Sequence, residues 1–132
     1  MPQTFKKPER LCSRKIIEEL FGTGKSFFCY PFRVVWLKTD RQQPYPAQMT
    51  PAVSSRNFRK AVTRNIIRRR IKEAYRKNKD SFYSDISRAG IKLVFMFQYT
   101  EKEVVGYAEI EKGVITALGK LSEKAVQASD PC

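Results

Sequence analysis

The sequence contains no histidine among its 132 residues. Histidine is the commonest general base in catalysis and the commonest metal ligand, so its absence removes both from any catalytic scheme. Cysteine is scarce too, because Cys12, Cys29 and Cys132 are an odd number and form no C-x-x-C pair. We therefore expect reduced thiols in a cytoplasmic protein, and neither a disulfide framework nor a zinc site.

Long apolar runs are also missing. No stretch approaches the roughly 20 apolar residues that span a bilayer, and no apolar segment of the kind found in secretory signals follows residues 1–7.

Acidic residues are few, with 13 Asp and Glu against 26 Lys and Arg, which gives a net charge of +13. A globular domain with this much uncompensated charge repels itself. The usual compensation is a polyanionic partner, either nucleic acid or an anionic membrane surface.

A chain of this length and with 42% hydrophobic residues fits one compact domain. We assign residues 1–132 to that domain, with an irregular basic segment at 1–12 and a frayed tail from about 127 to 132. Hydrophobic periodicity and turn residues predict a helix at 14–21 capped by Ser13, strands at 26–30, 32–38 and 47–54, a helix at 58–79, a polar connector at 80–90, a strand at 91–99 and a helix at 107–126.

Two of these strands have predicted places in a sheet. Pro51 argues for an edge position or a bulge in the third strand, because proline cannot donate a ladder hydrogen bond. The alternation of large apolar residues over 91–99 is typical of a central strand. The order α-β-β-β-α-β-α predicts an α+β sandwich in which three helices pack on a four-stranded sheet.

Most of the net charge lies in the predicted helix at 58–79 and in the two residues before it. Between Arg56 and Lys79 there are eleven Lys or Arg and one acid, Glu73, so this segment supplies eleven minus one, or +10. At 100° per residue, one arc of about 140° collects Arg64, Asn65, Arg68, Arg69, Lys72 and Arg76. Thr63, Ile67, Ile71 and Ala74 fall on the opposite side, which we expect to pack on the sheet.

This arc differs from an ordinary solvated helix face. Lys60, Arg64, Arg68 and Lys72 repeat one sign at steps of four residues, which is unfavourable without a counter-charge. Arginine presents a planar fork that suits phosphate oxygens and base edges. Asn65 adds a donor and an acceptor for a base edge, a ribose hydroxyl or a metal-bound water. A membrane-surface role is disfavoured because the apolar side is needed to cover the sheet.

Several motifs resemble one family. The segment Arg64-Asn65-x-x-Arg68-Arg69, followed by residues 71–76, resembles the signature helix of the bacterial ribonuclease P protein subunit. Residues 53–60, the N-terminal Phe5-Lys6-Lys7-x-Glu9-Arg10-Leu11 and the segment Leu20-Phe21-x-x-Gly24-Lys25-Ser26 are similar to further parts of that family. The resemblance runs from about residue 5 to residue 124.

The resemblance implies an accessory protein of a catalytic RNA that removes the 5′ leader from precursor tRNA. It implies that Mg²⁺ is held mainly by the RNA and that no protein residue is catalytic. From the residues themselves we expect neither DNA nor a membrane as a partner. The resemblance also implies a left-handed β-α-β crossover. The implied RNA-binding residues are Arg56, Arg59, Lys60, Arg64, Asn65, Arg68, Arg69, Lys72 and Arg76. The implied leader cleft consists of Ile17, Phe21, Val35 and Arg56, although plain core packing is an alternative for Ile17 and Phe21.

The sequence departs from the family pattern at a few positions. Ile66 stands where Arg or Lys is usual, and Ser55 and Asn57 interrupt a segment that usually carries consecutive basic residues. Ile17 and Val35 replace the aromatic residues that are common in the cleft, so leader stacking is expected to be weaker or to be carried by Phe27, Phe28 or Trp36.

Two other functions are compatible with the charge. A structural RNA-binding protein, such as a ribosomal or assembly factor, would carry the same net charge and the same basic helix. A DNA-binding protein that places this helix in a groove is disfavoured, since neither a helix-turn-helix pattern nor a dimerisation pattern accompanies it.

Overall fold

The computed structural model describes residues 14–39 and 45–127. Its elements are α1 (Arg14–Thr23), β1 (Lys25–Cys29), β2 (Phe32–Lys38), β3 (Ala47–Val53), α2 (Ala61–Arg88), β4 (Leu93–Tyr99) and α3 (Tyr107–Gln127). This order confirms the predicted α-β-β-β-α-β-α arrangement of three helices and four strands. The predicted cap at Ser13, the irregular segment at 1–12 and the tail at 128–132 lie outside the described residues.

The four strands form one mixed sheet in the order β1-β2-β4-β3. The β1–β2 and β2–β4 pairs are antiparallel, whereas β3 runs parallel to β4. The predicted central position of the last strand is confirmed, and β3 lies at an edge as Pro51 indicated. A parallel pair needs a long crossover, and α2 supplies it between β3 and β4.

The basic helix is longer than its sequence indicated. A stop near Asn78 and a polar connector at 80–90 were wrong, because α2 continues to Arg88. The amide of Asn78 donates to Ala74 O at 2.8 Å and to Glu111 Oε2 at 3.2 Å, so this residue is satisfied inside the helix. Beyond it Phe82 and Ile86 are buried, which extends the apolar face by two turns.

The end of α2 is marked by glycine. Gly90 has φ of 71°, the left-handed conformation that glycine adopts at helix C-termini without a Cβ penalty. Its N–H donates to Ser87 O at 3.0 Å.

The larger core lies between the sheet and the pair α2–α3. Ile67, Ile71 and Ala74 of α2 are fully buried, which confirms the predicted packing face. Tyr75 joins them and contacts the rings of Phe95 and Phe97 at centroid distances of 5.9 and 6.3 Å. Because this side of α2 is fixed in the core, its opposite side faces away from the sheet.

A smaller apolar cluster lies on the other face of the sheet, under α1. Ile16 and Leu20 of α1 pack there against Val35, Val94 and Met96. The protein therefore has three layers, α1, the sheet and the α2–α3 pair. Since α1 has only ten residues, it covers part of its face of the sheet.

Candidate RNA interface

The segment between β3 and α2 holds three exposed basic residues around one buried ring. Phe58 is buried and lies 5.9 Å, centroid to centroid, from Tyr99 of the central strand. A turn precedes it, in which the Phe58 N–H donates to Ser54 O at 3.1 Å and the Arg56 N–H donates to Ser54 Oγ at 3.1 Å. With the ring anchored, Arg56, Arg59 and Lys60 are exposed.

The N-terminus of α2 carries no compensating acid. Lys60 is the N-cap residue in an extended conformation, its side chain caps no backbone N–H, and the first turn has no Asp or Glu. The unpaired N–H groups of a helix N-terminus are electropositive and favour anions. They add to the positive potential of the adjacent basic side chains.

Arg64 has a structural role that its position on the helix did not reveal. Its Nη1 donates to Phe58 O at 2.8 Å and to Arg59 O at 3.0 Å, which fixes the loop against the first turn of α2. A guanidinium has five N–H donors, so these bonds leave others for a phosphate. Arg64 therefore belongs both to the basic face and to the frame that positions Arg59 and Lys60.

Asn65 and Arg68 form a pair on the exposed side of α2. Arg68 Nη1 donates to Asn65 Oδ1 at 3.1 Å, one turn along the helix. This bond uses the carbonyl oxygen of Asn65, so the amide donors are the group that Asn65 can present to a partner. It also restrains the Arg68 side chain, which reduces the entropy lost when it binds a phosphate.

The remaining predicted residues lie farther along the same side. Arg69 is exposed and Lys72 is half-buried, while Arg76 is paired with Glu73. Arg76 Nε donates to Glu73 Oε2 at 3.3 Å. The hydrogen bond from Arg76 lowers the pKa of the Glu73 carboxyl, so Glu73 stays ionised and neutralises part of the Arg76 charge. We call the predicted set Arg56, Arg59, Lys60, Arg64, Asn65, Arg68, Arg69, Lys72 and Arg76 the basic surface.

Other residues of α2 lie outside this surface. Arg70 lies on the side of α2 next to α3. Its Nη1 donates to Val105 O at 3.0 Å and so ties α2 to the segment before α3. Lys79 is buried with its Nζ 5.3 Å from the centre of the Tyr83 ring. Ile66 is exposed at 39%, and Val62 at 70%, so the departure at Ile66 places an apolar side chain at the surface.

The predicted cleft residues occupy three different environments. Phe21 is 59% exposed near the end of α1, and Ile17 is half-buried at its border. Val35 is only 3% exposed, because it lies beneath α1 in the smaller apolar cluster. Val35 therefore supports α1 from below, whereas Phe21 has a ring face available to a ligand.

The sheet beside α1 carries a row of four residues, of which only Phe28 was named from the sequence as a possible stacking residue for the leader. Strand pairing aligns Ala52 of β3, Gln98 of β4, Arg33 of β2 and Phe28 of β1 across the sheet. Arg33 and Phe28 are exposed, and Ala52 and Gln98 are half-buried. We call this set the open row. The alternation of side chains along a strand puts Arg33 on the same face as Val35, and Gln98 on the same face as Met96. Which of these residues remain uncovered depends on the position of α1, which the sequence does not give.

Two further observations concern other ligands. Within residues 14–39 and 45–127, no group of three or more His, Cys, Asp or Glu is arranged to hold a metal ion. Across the same ranges, no helix has the length and apolar content needed to cross a membrane.

Sequence comparison relates this chain to known proteins. The family model described as Ribonuclease P matches residues 5–122. The chain is 32% identical over 123 residues to the ribonuclease P protein component of Porphyromonas gingivalis, covering 92% of this chain and 90% of the relative. It is 34% identical over 80 residues to that of Petrotoga mobilis, covering 61% of this chain and 64% of the relative.

Solved structures have the same fold. The RNase P protein from Thermotoga maritima aligns with a TM-score of 0.65 at 22% identity, covering 85% of this chain and 96% of that one. The Staphylococcus aureus RNase P protein aligns with a TM-score of 0.64 at 16% identity, covering 89% of this chain and 97% of that one.

Proposed function

The chain belongs to the ribonuclease P protein family, the accessory subunits of the endoribonuclease that processes tRNA 5′ ends, and from this premise we propose a role for each of its two surfaces. The basic surface binds the catalytic RNA. The cleft between α1 and the open row binds the single-stranded 5′ leader of precursor tRNA. Both RNAs would meet the protein in the cytoplasm.

The observation that carries the first assignment is the cluster of basic residues on the side of α2 that faces away from the core. Ile67 and Ile71 fix one side of the helix in the core, so Arg68 and Arg69 project from the other side. Phosphate contacts provide most of the affinity of proteins for nucleic acids, and closely spaced arginines match closely spaced phosphates. Within residues 56–79 Glu73 is the only acid, and its charge is already matched by Arg76.

The cleft has the chemistry expected for a single strand. Phe21 offers a ring on which a base can stack, and Arg33 and Arg56 offer charges for the phosphates. Arg33 Nη2 donates to Ser26 Oγ at 3.3 Å, which holds the guanidinium over the open part of the sheet. Nearby, the Oε1 atom of Gln98 is buried, and among the described residues it has no hydrogen-bond partner. A rotation of this amide toward the cleft would let a ribose hydroxyl or a base N–H supply the missing bond.

The Mg²⁺ ions of the reaction belong, in this proposal, to the RNA. The part of the protein that the structure describes has no set of carboxylates arranged as a magnesium site. When bound to the RNA, Mg²⁺ supplies an activated water and charge stabilisation. The protein contributes by neutralising phosphates on the basic surface and by holding the leader, and none of its residues is assigned an acid–base step.

Replacing Phe21 with alanine tests the cleft. Loss of one stacking platform is expected to weaken precursor tRNA binding to the holoenzyme about fivefold, at the lower end of stacking contributions because the ring is partly solvated. Binding of mature tRNA, which has no leader, is expected to be unchanged. The measurement is equilibrium binding of both RNAs to the reconstituted holoenzyme.

Two matched variants control this experiment. Phe21→Tyr retains a ring and is expected to bind like the natural protein. Ile115→Ala removes an apolar side chain from α3 that is 50% exposed, close to the 59% of Phe21, and is expected to have no effect on either RNA. Equal losses for precursor and mature tRNA in Phe21→Ala would contradict the assignment of the cleft to the leader.

The net charge alone would also allow a ribosomal or assembly factor, but the family match does not support that alternative. Family membership over residues 5–122 favours the ribonuclease P subunit. The charge is common to both functions, so it does not distinguish them.

A further inference from the structure

A groove between β1 and α3 has no role in the function proposed above. It has a volume of about 590 Å³ and is lined by Phe28, Cys29, Tyr30, Glu109, Lys112, Gly113, Thr116 and Lys120. This volume lies within the range of roughly 300–1,000 Å³ that is typical of ligand sites. Its walls combine exposed aromatic rings with lysines, the combination that binds single-stranded nucleic acid.

The close approach of α3 to β1 forms this groove. A Cβ on Gly113 would lie 2.6 Å from Pro31 Cδ and 2.7 Å from Tyr30 O, so only glycine allows α3 to pack at this distance. The Cys29 Sγ donates to Gly113 O at 3.8 Å across the same contact. Burial raises the pKa of the Cys29 thiol, which makes it an unreactive part of the floor.

The basic wall of the groove is one stripe of α3. Lys112, Thr116 and Lys120 repeat at steps of four residues, so they lie on one face and the two lysines are roughly 12 Å apart along the axis. Both lysines are exposed. Lys124 continues the stripe, with its Nζ 5.5 Å from the centre of the Phe27 ring.

The aromatic wall is provided by Phe28 and Tyr30, which are 59% and 49% exposed. The Tyr30 hydroxyl donates to Glu109 Oε2 at 3.5 Å, which restrains the ring. Glu109 is the one acid among the lining residues, and its charge opposes an anionic ligand. A second groove, between the C-terminal ends of α2 and α3, differs in charge because Asp85 and Glu123 line it together with Arg88.

Phe28 connects this groove to the cleft. It is the β1 member of the open row, so it stands both at the end of that row and at the mouth of the groove. Across four strands at about 4.8 Å, the row spans roughly 14 Å and ends at the sheet edge. A strand that follows the row from β3 to β1 and turns around this edge to the other face arrives between Tyr30 and the lysine stripe.

We propose that the groove between β1 and α3 binds the distal, upstream part of a long 5′ leader as it leaves the cleft across Phe28. Lys112 and Lys120 bind its phosphates, and Tyr30 and Phe28 stack on its bases. The proposal rests on the leader cleft proposed above and adds a second site for the same strand. It predicts that leader length, and not only leader presence, governs affinity.

The test compares holoenzyme binding of two precursor tRNAs, with leaders of about four and about sixteen nucleotides, the limits of single-strand site sizes on small domains. The natural protein is expected to bind the long leader several-fold more tightly. In Lys112→Ala/Lys120→Ala this gain is expected to disappear, and the salt dependence of long-leader binding is expected to fall by about 1.4 units of slope. Short-leader affinity is expected to match that of the natural protein.

A double variant of equal charge, Lys77→Ala/Arg88→Ala, serves as the control and is expected to retain the gain, since both residues are exposed on α2 away from the groove. A gain that survives Lys112→Ala/Lys120→Ala would overturn the proposal. So would an equal loss for both leaders, because the lysines would then act on assembly or on overall charge. If neither precursor binds more tightly than mature tRNA, the assignment of the cleft to the leader is wrong. This outcome distinguishes a failure of the cleft assignment from a failure of the groove proposal.

Discussion

Replacing Arg68, Arg69 and Lys72 with alanine together is expected to weaken assembly with the ribonuclease P RNA about a hundredfold at physiological salt. Each charge-assisted phosphate contact, discounted for solvent screening, contributes about 1 kcal/mol, and a factor of ten corresponds to about 1.4 kcal/mol. Three lost contacts are also expected to lower the slope of log affinity against log salt by about three units. The measurement is a filter-binding titration over a series of salt concentrations.

A triple variant with equal charge controls for net charge. Lys77, Arg88 and Lys102 are exposed and lie outside the basic surface, so their replacement with alanine is expected to leave the slope within one unit of the natural value. In Arg68→Ala alone the slope is expected to fall by about one unit. A salt dependence that is the same in both triple variants would remove Arg68, Arg69 and Lys72 from the interface.

Replacing Tyr75 with alanine is expected to lower the free energy of unfolding by about 3–5 kcal/mol, the usual cost of removing a large aromatic side chain from a core. Tyr75 is fully buried and contacts three other rings, those of Tyr83, Phe95 and Phe97. For a chain of this size, the midpoint of thermal unfolding is expected to fall by roughly 10–20 °C. Thermal unfolding followed by circular dichroism measures the change.

Tyr75→Phe is the matched control. It keeps the ring and removes only the hydroxyl, which lies 3.3 Å from the Tyr83 hydroxyl, so a cost of about 0.5–1.5 kcal/mol is expected. RNA affinity of both variants, measured well below their unfolding midpoints, is expected to be unchanged because Tyr75 lies on the core side of α2. A cost below about 1 kcal/mol for Tyr75→Ala would contradict the central position of this ring.

The features that the sequence predicted are those with strong local signals. The bounds of β2 follow from the periodicity over residues 32–38, and the edge position of β3 follows from Pro51. The packing side of α2 follows from the spacing of Ile67, Ile71 and Ala74. In each case, a pattern within one element was sufficient.

The features that could not be predicted from the sequence depend on contacts between different helices, strands and loops. Asn78 resembled a helix stop, but its amide is satisfied by Ala74 and by Glu111 of α3, so the helix continues. The bonds of Arg64 to the carbonyls of Phe58 and Arg59 require the conformation of a loop that no periodicity describes. The burial of Val35 under α1 has the same origin, because period-two alternation gives the face of a strand but not what covers it.

The groove between β1 and α3 could not be predicted from the sequence for a further reason. Tyr30 and Lys120 are ninety residues apart and meet only because Gly113 brings α3 against the end of β1. The sequence does contain the helical spacing of Lys112, Thr116 and Lys120. Without the position of β1, that spacing is indistinguishable from an ordinary solvated helix face.

Cleavage of precursor tRNA at low Mg²⁺ tests the central claim most directly. A bacterial ribonuclease P RNA is assayed with and without this protein over a series of Mg²⁺ concentrations. We expect the protein to lower the Mg²⁺ concentration needed for half-maximal cleavage, because the basic surface and the cleft replace part of the charge neutralisation otherwise supplied by the ions. We also expect tighter binding of precursor than of mature tRNA. An unchanged Mg²⁺ requirement together with equal affinity for the two tRNAs would contradict the account.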